Sequence, residues 1–174
     1  MRVINVEIKA RCANPERVRA VLKQRNARFA GLDHQLDTYF RVPQGRLKLR
    51  EGNIENALIH YHRPDQGGPK TSDVLLHQTA PQSGLKEILV AALGVLVAVD
   101  KRREIYYLQN VKVHIDQVEG LGSFMEIEAA GDEYADRSAL LAQCRELMEA
   151  FGIEQKDLIA DSYSDLLVKV VSGR

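Results

Sequence analysis

The sequence predicts an α+β fold, with about eight antiparallel strands and with helices between and after them. Several segments alternate apolar and polar residues with a period of two, which is typical of strands whose two faces lie in different surroundings. Glycine and proline separate these segments. Apolar residues recur at helical spacing over residues 135–151. These three observations together favour a sheet that is accompanied by helices.

The first predicted strand spans residues 3–11, and Asn14-Pro15-Glu16 then begins a helix that we expect to end near Gly31. The further strands are predicted over residues 35–42, 46–50, 57–63, 70–78, 95–108, 110–118 and 124–128. The further helices are predicted over residues 83–93, with Ser83 as the N-cap, and over residues 135–151 and 162–171.

Composition excludes several classes of protein. The chain has 174 residues, of which 45% are hydrophobic, and its 24 basic and 24 acidic residues cancel. We therefore expect one folded domain over residues 1–174, and not a disordered chain or one that binds nucleic acid through bulk positive charge. The apolar run over residues 88–99 is too short to cross a bilayer, and the first residues show no apolar signal region. We expect a cytoplasmic protein without a membrane partner.

The polar faces of the predicted strands carry mainly full charges. The carboxylates on these faces are Glu7, Asp116, Glu126 and Glu128. The cations are Lys9, Arg11, Lys48, Arg50, Lys70, Lys101, Arg103 and Lys112. Alternation does not say whether these faces lie in water, where each ion pair is worth under ~1 kcal/mol, or line a closed barrel that holds a small ligand. A polyphosphate bound with divalent cations would compensate both sets of charges.

Six segments resemble, in order, the motifs of the CYTH superfamily, also called triphosphate tunnel metalloenzymes. They are Asn5-Val-Glu-Ile-Lys9, Asp37-Thr-Tyr-Phe40, Leu47-Lys-Leu-Arg50, Arg63-Pro-Asp-Gln-Gly-Gly-Pro-Lys70, Lys101-Arg-Arg103 and the block from Ile115 to Glu128. The last block is most similar to class IV adenylate cyclases. The resemblance implies an eight-stranded antiparallel β-barrel, or tunnel, with helices packed outside.

The resemblance also implies roles for individual residues. The metal ligands would be Glu7, Asp116, Glu126 and Glu128, which would hold Mg²⁺ or Mn²⁺. The phosphate-binding residues would be Lys9, Arg50, Arg63, Lys70, Lys101 and Arg103. Glu128 and Lys9 are the candidate catalytic residues. The substrate would be a triphosphate such as ATP or tripolyphosphate, and the protein would be a monomer or a homodimer.

Three functions stay open at this point. The first, which we favour, is a class IV-type adenylate cyclase. The second is a triphosphatase that acts on an inorganic, thiamine or nucleoside triphosphate. The third is a protein that binds polyphosphate or a nucleotide without catalytic activity. Asn5 departs from the family pattern, which has a glutamate at that position, and this would weaken a second metal site. Arg63 falls out of phase with His60 and His62, which we expect to line the tunnel or contact the substrate.

Overall fold

A computed structural model describes residues 2–62 and 67–173, and this part of the chain forms a closed barrel of eight antiparallel strands with four α-helices outside it. The strands are β1 (Arg2–Arg11), β2 (Arg28–Phe40), β3 (Arg46–Glu51), β4 (Ala57–His62), β5 (Lys70–Gln78), β6 (Val95–Leu108), β7 (Val111–Val118) and β8 (Gly122–Gly131). The helices are α1 (Pro15–Gln24), α2 (Leu85–Leu93), α3 (Arg137–Phe151) and α4 (Tyr163–Val171), with a short 3₁₀ turn at Gln155–Asp157. The predicted fold class is confirmed.

The strands follow the order β1-β5-β4-β3-β2-β6-β7-β8 around the barrel, and β8 pairs with β1 to close it. In the register of the closing pair, Glu7 lies opposite Glu128 and Lys9 lies opposite Glu126. Directly opposed residues of an antiparallel pair share a face of the sheet. The register therefore brings carboxylates and a lysine of β1 and β8 together on one face.

The apolar faces of β1, β7 and β8 point away from the barrel axis. Ile8, Val113 and Ile127 are buried there in one cluster with Leu22 of α1 and Cys144 of α3. Successive side chains of a strand alternate between its faces. Because the helices cover the apolar face, the charged face of these strands must line the interior of the barrel.

Two predicted features of the elements are wrong. Helix α1 ends at Gln24, after which Asn26 has a positive φ of 57°, so the helix does not reach Gly31. Gly31 instead lies in β2 at a register shift, with a φ of 134°, where a Cβ would meet Ile54 Cδ1 at 2.8 Å. Helix α2 is capped by Gly84 without a side-chain hydrogen bond, so Ser83 is not its cap.

In the described part of the chain, none of the helices is long and apolar enough to cross a membrane.

Candidate active site

The barrel encloses a cavity of about 630 Å³, a size that is ordinary for small-molecule sites. Its surroundings divide by strand into three parts, which we call the acidic, basic and apolar walls. The acidic wall comprises Asn5, Glu7, Lys9, Lys112, His114, Asp116, Glu126 and Glu128, from β1, β7 and β8. The basic wall comprises Asp37, Tyr39, Lys48, Arg50, Lys101 and Arg103, from β2, β3 and β6. The apolar wall comprises Ala57, Ile59, Tyr61, Val74 and Leu76, from β4 and β5, and the polar Ser72 and Gln78 of β5 line the cavity beside it.

Arg103 joins the basic wall to the acidic wall. Its Nε and Nη2 donate to Asp116 Oδ1 and Oδ2 at 2.7 and 2.6 Å, and Nη2 also donates to Glu126 Oε2 at 2.9 Å. Lys9 Nζ lies 2.8 Å from Glu126 Oε1. Burial would raise the pKa of both carboxyl groups, but Arg103 holds the pKa of Asp116 below its usual value, and Lys9 and Arg103 hold that of Glu126 well below. Both carboxylates are therefore ionised at neutral pH.

Asp37 is the counter-ion within the basic wall. It accepts hydrogen bonds from Lys48 Nζ at 2.9 Å, from Arg50 Nε and Nη2 at 2.8 and 2.9 Å, and from Lys101 Nζ at 2.7 Å. Burial would raise the pKa of Asp37, but Arg50, Lys101 and Lys48 hold it well below its usual value. Burial also lowers the pKa of Lys101 to about 7, against the attraction of Asp37. A bound phosphate would compete with Asp37 for these cations.

Asn5 and Glu128 form a hydrogen bond where the acidic wall meets β5. Asn5 Nδ2 donates to Glu128 Oε1 at 2.7 Å. Asn5 is 8% exposed, and its Oδ1 has no hydrogen-bond partner. A glutamate here would face Glu128 with like charge. The asparagine thus replaces a repulsion by a hydrogen bond and leaves one buried oxygen to accept from water or to bind a cation.

The C-terminal segment closes one end of the cavity. Tyr163, at the start of α4, donates its hydroxyl to Asp116 Oδ2 at 2.7 Å, and Lys9 Nζ lies 3.9 Å from the centre of its ring. Burial and the neighbouring Asp116 raise the pKa of Tyr163 well above its usual value, so the phenol remains a donor. Lys70 Nζ donates to the carbonyl oxygens of Ile159 and Ala160.

The predicted site residues are largely brought together. Glu7, Lys9, Arg50, Lys101, Arg103, Glu126 and Glu128 line the cavity, and Asp116 is buried against Arg103. Lys70 shares the inner face of β5, opposite Glu7 in the register, but its amine is directed at the C-terminal segment. Arg63 lies outside the described residues.

The prediction for His60 and His62 is wrong. In β4 the buried residues are Ala57, Ile59 and Tyr61, and the two histidines lie on the outer face, where His60 Nε2 is 3.0 Å from the carbonyl oxygen of Gln44. The strand is packed by its aliphatic and aromatic residues. This is why its phase is the reverse of the one expected from the histidines.

Comparisons with known proteins agree with this architecture. The CYTH domain model matches residues 3–163. The chain belongs to the CYTH domain family. CYTH proteins of this kind are adenylate cyclases or triphosphatases and generally depend on divalent metals.

Three similar proteins match almost the whole chain. A Methanocaldococcus jannaschii protein, provisionally named as an adenylate cyclase, is 27% identical over 94% of this chain and 98% of its own length. The solved structure of the PH1012 protein from Pyrococcus horikoshii is similar with a TM-score of 0.77 and 23% identity, over 93% of this chain and 98% of that one. A Hippeastrum protein, provisionally named as an adenylyl cyclase and described as having a dominant triphosphatase activity, has a TM-score of 0.62 and 15% identity, over 98% and 96% of the two chains. The two structures share the CYTH fold.

Three residues of this CYTH tunnel were given no role in the sequence analysis, although Asp37 opens one of the six motifs. Asp37 is in phase with Tyr39 on β2, and that alternation was the available signal. Glu55 reaches the cavity from the β3–β4 loop, and Tyr163 reaches it from the start of a helix. A periodic pattern does not identify a residue in a loop or at the start of a helix as part of the cavity, because such a residue reaches the cavity only through long-range packing.

The oxygens of the acidic wall fit a divalent cation in their chemistry. Carboxylate and amide oxygens are the ligands that Mg²⁺ and Mn²⁺ prefer, and Asn5 Oδ1 is a buried oxygen without a partner. Within residues 2–62 and 67–173, no three His, Cys, Asp or Glu side chains already converge on a metal position. Glu126 and Asp116 are bound to Arg103 instead. The carboxylates would have to exchange these partners for an ion.

Proposed function

We propose that the protein is a divalent-metal-dependent enzyme that acts on a nucleoside triphosphate, as a class IV-type adenylate cyclase that converts ATP to cyclic AMP and pyrophosphate. The observation that carries this proposal is the division of one cavity into charged and apolar walls. Tripolyphosphate has no apolar part that could contact the apolar wall, which includes Ile59 and Val74. A nucleoside attached to the triphosphate would cover it.

The phosphate oxygens are assigned to the cations that face the cavity. Lys9, Arg50, Lys101 and Arg103 line the cavity and would donate to them. The family resemblance adds Lys70, whose amine would first have to leave the carbonyl oxygens of Ile159 and Ala160, and Arg63, which lies outside the described residues. Charge-assisted hydrogen bonds to phosphate are the strong ones, and arginine can donate two at once. The four cations that line the cavity are now held by carboxylates of the protein, so the substrate would replace existing partners of these cations.

The carboxylates are assigned to metal binding and to proton transfer. Glu7, Asp116, Glu126 and Glu128 would hold Mg²⁺ or Mn²⁺, with Asn5 Oδ1 as a neutral oxygen ligand beside them. The ion would supply neutralisation of the phosphate charge. Glu128 is the candidate base that accepts the proton of the attacking hydroxyl, because its Oε1 is held in place by Asn5. Lys9 would donate to the leaving oxygen.

In the cyclisation, the ribose 3′-hydroxyl forms a bond to the α-phosphorus while the bond from that phosphorus to the β-phosphate bridging oxygen breaks. Pyrophosphate leaves, and the hydroxyl proton passes to Glu128. The chain's part in this reaction is to hold the triphosphate extended and in line with the nucleophile, and to stabilise charge on the leaving oxygens.

A triphosphatase is the second candidate. It is favoured by the Hippeastrum relative, which is described as having a dominant triphosphatase activity. In that reaction water forms a bond to the terminal phosphorus while the bond from that phosphorus to the β,γ-bridging oxygen breaks, so the diphosphate leaves and orthophosphate is the other product. The same tunnel would serve, and the two reactions differ in which phosphorus faces the nucleophile.

The test is product identification. The protein is incubated with ATP and, separately, with tripolyphosphate, each in Mg²⁺ and in Mn²⁺. Cyclic AMP with pyrophosphate supports the cyclase, and orthophosphate from ATP supports the triphosphatase. If either compound binds but no product forms, the protein is a binder without catalytic activity, and the proposal is wrong.

A further inference from the structure

Glu55 spans the end of the cavity that lies away from Tyr163. Glu55 Oε2 accepts from Arg50 Nη1 at 3.0 Å, and Oε1 accepts from Lys112 Nζ at 2.9 Å. Arg50 belongs to β3 and Lys112 belongs to β7, on the opposite side of the barrel order. One carboxylate therefore links β3 and β7, two strands that do not pair with each other.

This end of the cavity is the more exposed one. The side chain of Lys112 is 34% exposed, whereas that of Asp116 is fully buried where it meets Tyr163. Lys112 and Asp116 are four residues apart on β7, a distance of roughly 13 Å along an extended strand. A ligand from solvent would therefore meet Glu55 before it meets Arg103.

The loop that carries Glu55 is fixed by a buried anchor. Asp33 is 0% exposed, and its Oδ1 and Oδ2 accept from the backbone amides of Ile54 and Glu55 at 2.9 and 3.0 Å. A Cβ at Gly52 would lie 2.7 Å from Asp33 Oδ1, so the loop backbone comes closer to the Asp33 carboxylate than any residue with a side chain would allow. The backbone is held, and the Glu55 side chain can still turn about its own bonds.

The charge state of Glu55 makes it a substitute for a phosphate group. Burial would raise the pKa of its carboxyl, but Arg50 and Lys112 hold it far below its usual value. An ionised carboxylate that bridges two cations satisfies them as a phosphate oxygen would. The cations that face this end are thus already neutralised by the protein.

We propose that Glu55 is a specificity-determining residue that competes with the substrate's phosphate chain for Arg50 and Lys112. An incoming polyanion displaces the carboxylate, which turns out of the way while Asp33 keeps the loop backbone in place. Weakly charged anions do not compete, so the tunnel is reserved for ligands with several negative charges. The inference rests on the proposed function, because it takes the tunnel to be a triphosphate site.

The experiment measures binding of tripolyphosphate by titration calorimetry in EDTA, without added metal, for the wild type and for Glu55→Gln, Glu55→Ala and Glu51→Gln. Glu51 is the matched control, because it is the next acidic residue of the same region but pairs with Lys86 at 2.9 Å outside the cavity. We expect both Glu55 variants to bind about tenfold more tightly, equivalent to ~1.4 kcal/mol, and Glu51→Gln to bind like the wild type.

The outcomes separate the two proposals. If the wild type binds tripolyphosphate but the Glu55 variants bind equally or more weakly, competition by Glu55 is wrong and the tunnel remains a triphosphate site. If neither the wild type nor any variant binds tripolyphosphate, with EDTA or with Mg²⁺, the proposed function and the inference both fail. A gain in Glu51→Gln equal to that in Glu55→Gln would show a general charge effect and would also overturn the inference.

Discussion

The charged walls and the apolar wall surround the same cavity, but they are stabilised in different ways. On the charged walls, Arg103 and the carboxylates Asp116 and Glu126 satisfy one another, after Arg103 and Asp116 have lost nearly all contact with water and Glu126 most of it. On the apolar wall, Ile59 and Val74 pack with their neighbours and require no specific partner. Removing one charged side chain therefore leaves its partner buried and unpaired, whereas shortening a side chain of the apolar wall removes only van der Waals contacts. The charged walls should be sensitive to pH and to single substitutions, and the apolar wall should not.

The largest effect is expected from Arg103→Met. The variant leaves Asp116 and Glu126 without their shared guanidinium, so its free energy of unfolding at pH 7 should fall by ~3–5 kcal/mol. Urea unfolding measures this fall. The control is Arg25→Met, which removes an exposed two-bond pair with Glu146 at 2.9 and 2.5 Å and should cost under ~1 kcal/mol.

The pH dependence of the same variant sharpens the test. In the wild type Arg103 lowers the pKa of Asp116 and contributes to lowering that of Glu126, so this part of the stability is present at neutral pH and is lost as pH falls through the folded-state values. Without Arg103 the two pKa values rise, and acid neutralises the unpaired carboxylates. The deficit of the variant should therefore shrink as the pH falls below about 4, the ordinary pKa of a carboxyl group, and a deficit that is constant with pH would contradict this account.

Glu126→Gln tests whether turnover requires the carboxylates of the acidic wall. The variant keeps the shape of the side chain and an oxygen that can accept from Lys9, so circular dichroism should show an intact fold. Its kcat with ATP and saturating Mg²⁺ should fall at least about 100-fold, because a charged oxygen ligand is lost. Glu104→Gln, on the outer face of the barrel beside Arg19 at 2.5 Å, should keep the wild-type rate. An unchanged rate in Glu126→Gln would show that the metal assignment is wrong.

Asn5→Glu adds a charge to the acidic wall. It replaces the hydrogen bond to Glu128 by repulsion, so the metal-free protein should melt at a lower temperature. An added hard ligand should also lower the Mg²⁺ concentration for half-maximal rate about fivefold. Asn5→Gln, which stays neutral, is the control. A metal requirement that is unchanged or higher in Asn5→Glu would rule out a metal site weakened by the natural asparagine.

The smallest effect is expected on the apolar wall. Val74→Thr keeps the size of the side chain but replaces a methyl group by a hydroxyl, and it should raise KM for ATP about threefold without changing KM for tripolyphosphate. Leu75→Thr, the neighbour on the outer face with 50% exposure, should change neither. Equal increases for both substrates would mean that the wall does not contact the nucleoside.

The sequence by itself determined the strands and their two faces. Alternation over β1, β6, β7 and β8 was enough to place Glu7, Lys101, Asp116 and Glu126 each on the polar face of its own strand, because side chains of a strand alternate whatever the strand packs against. The order of the motifs then led to the family, and with it to a closed barrel. These are local properties, and a linear sequence contains them.

Only the tertiary structure decided which face lies inside and which charges are partners. The charged faces point inward because α1 and α3 cover the apolar faces of β1, β7 and β8. The pairing of Arg103 with Glu126, the bridge from Glu55 to Lys112 and the contact of Tyr163 with Asp116 join residues that are 23, 57 and 47 positions apart. The phase of β4 depended on which of its residues found apolar neighbours. Such choices are made by burial and by charge compensation between distant segments, and alternation within one segment carries no information about them.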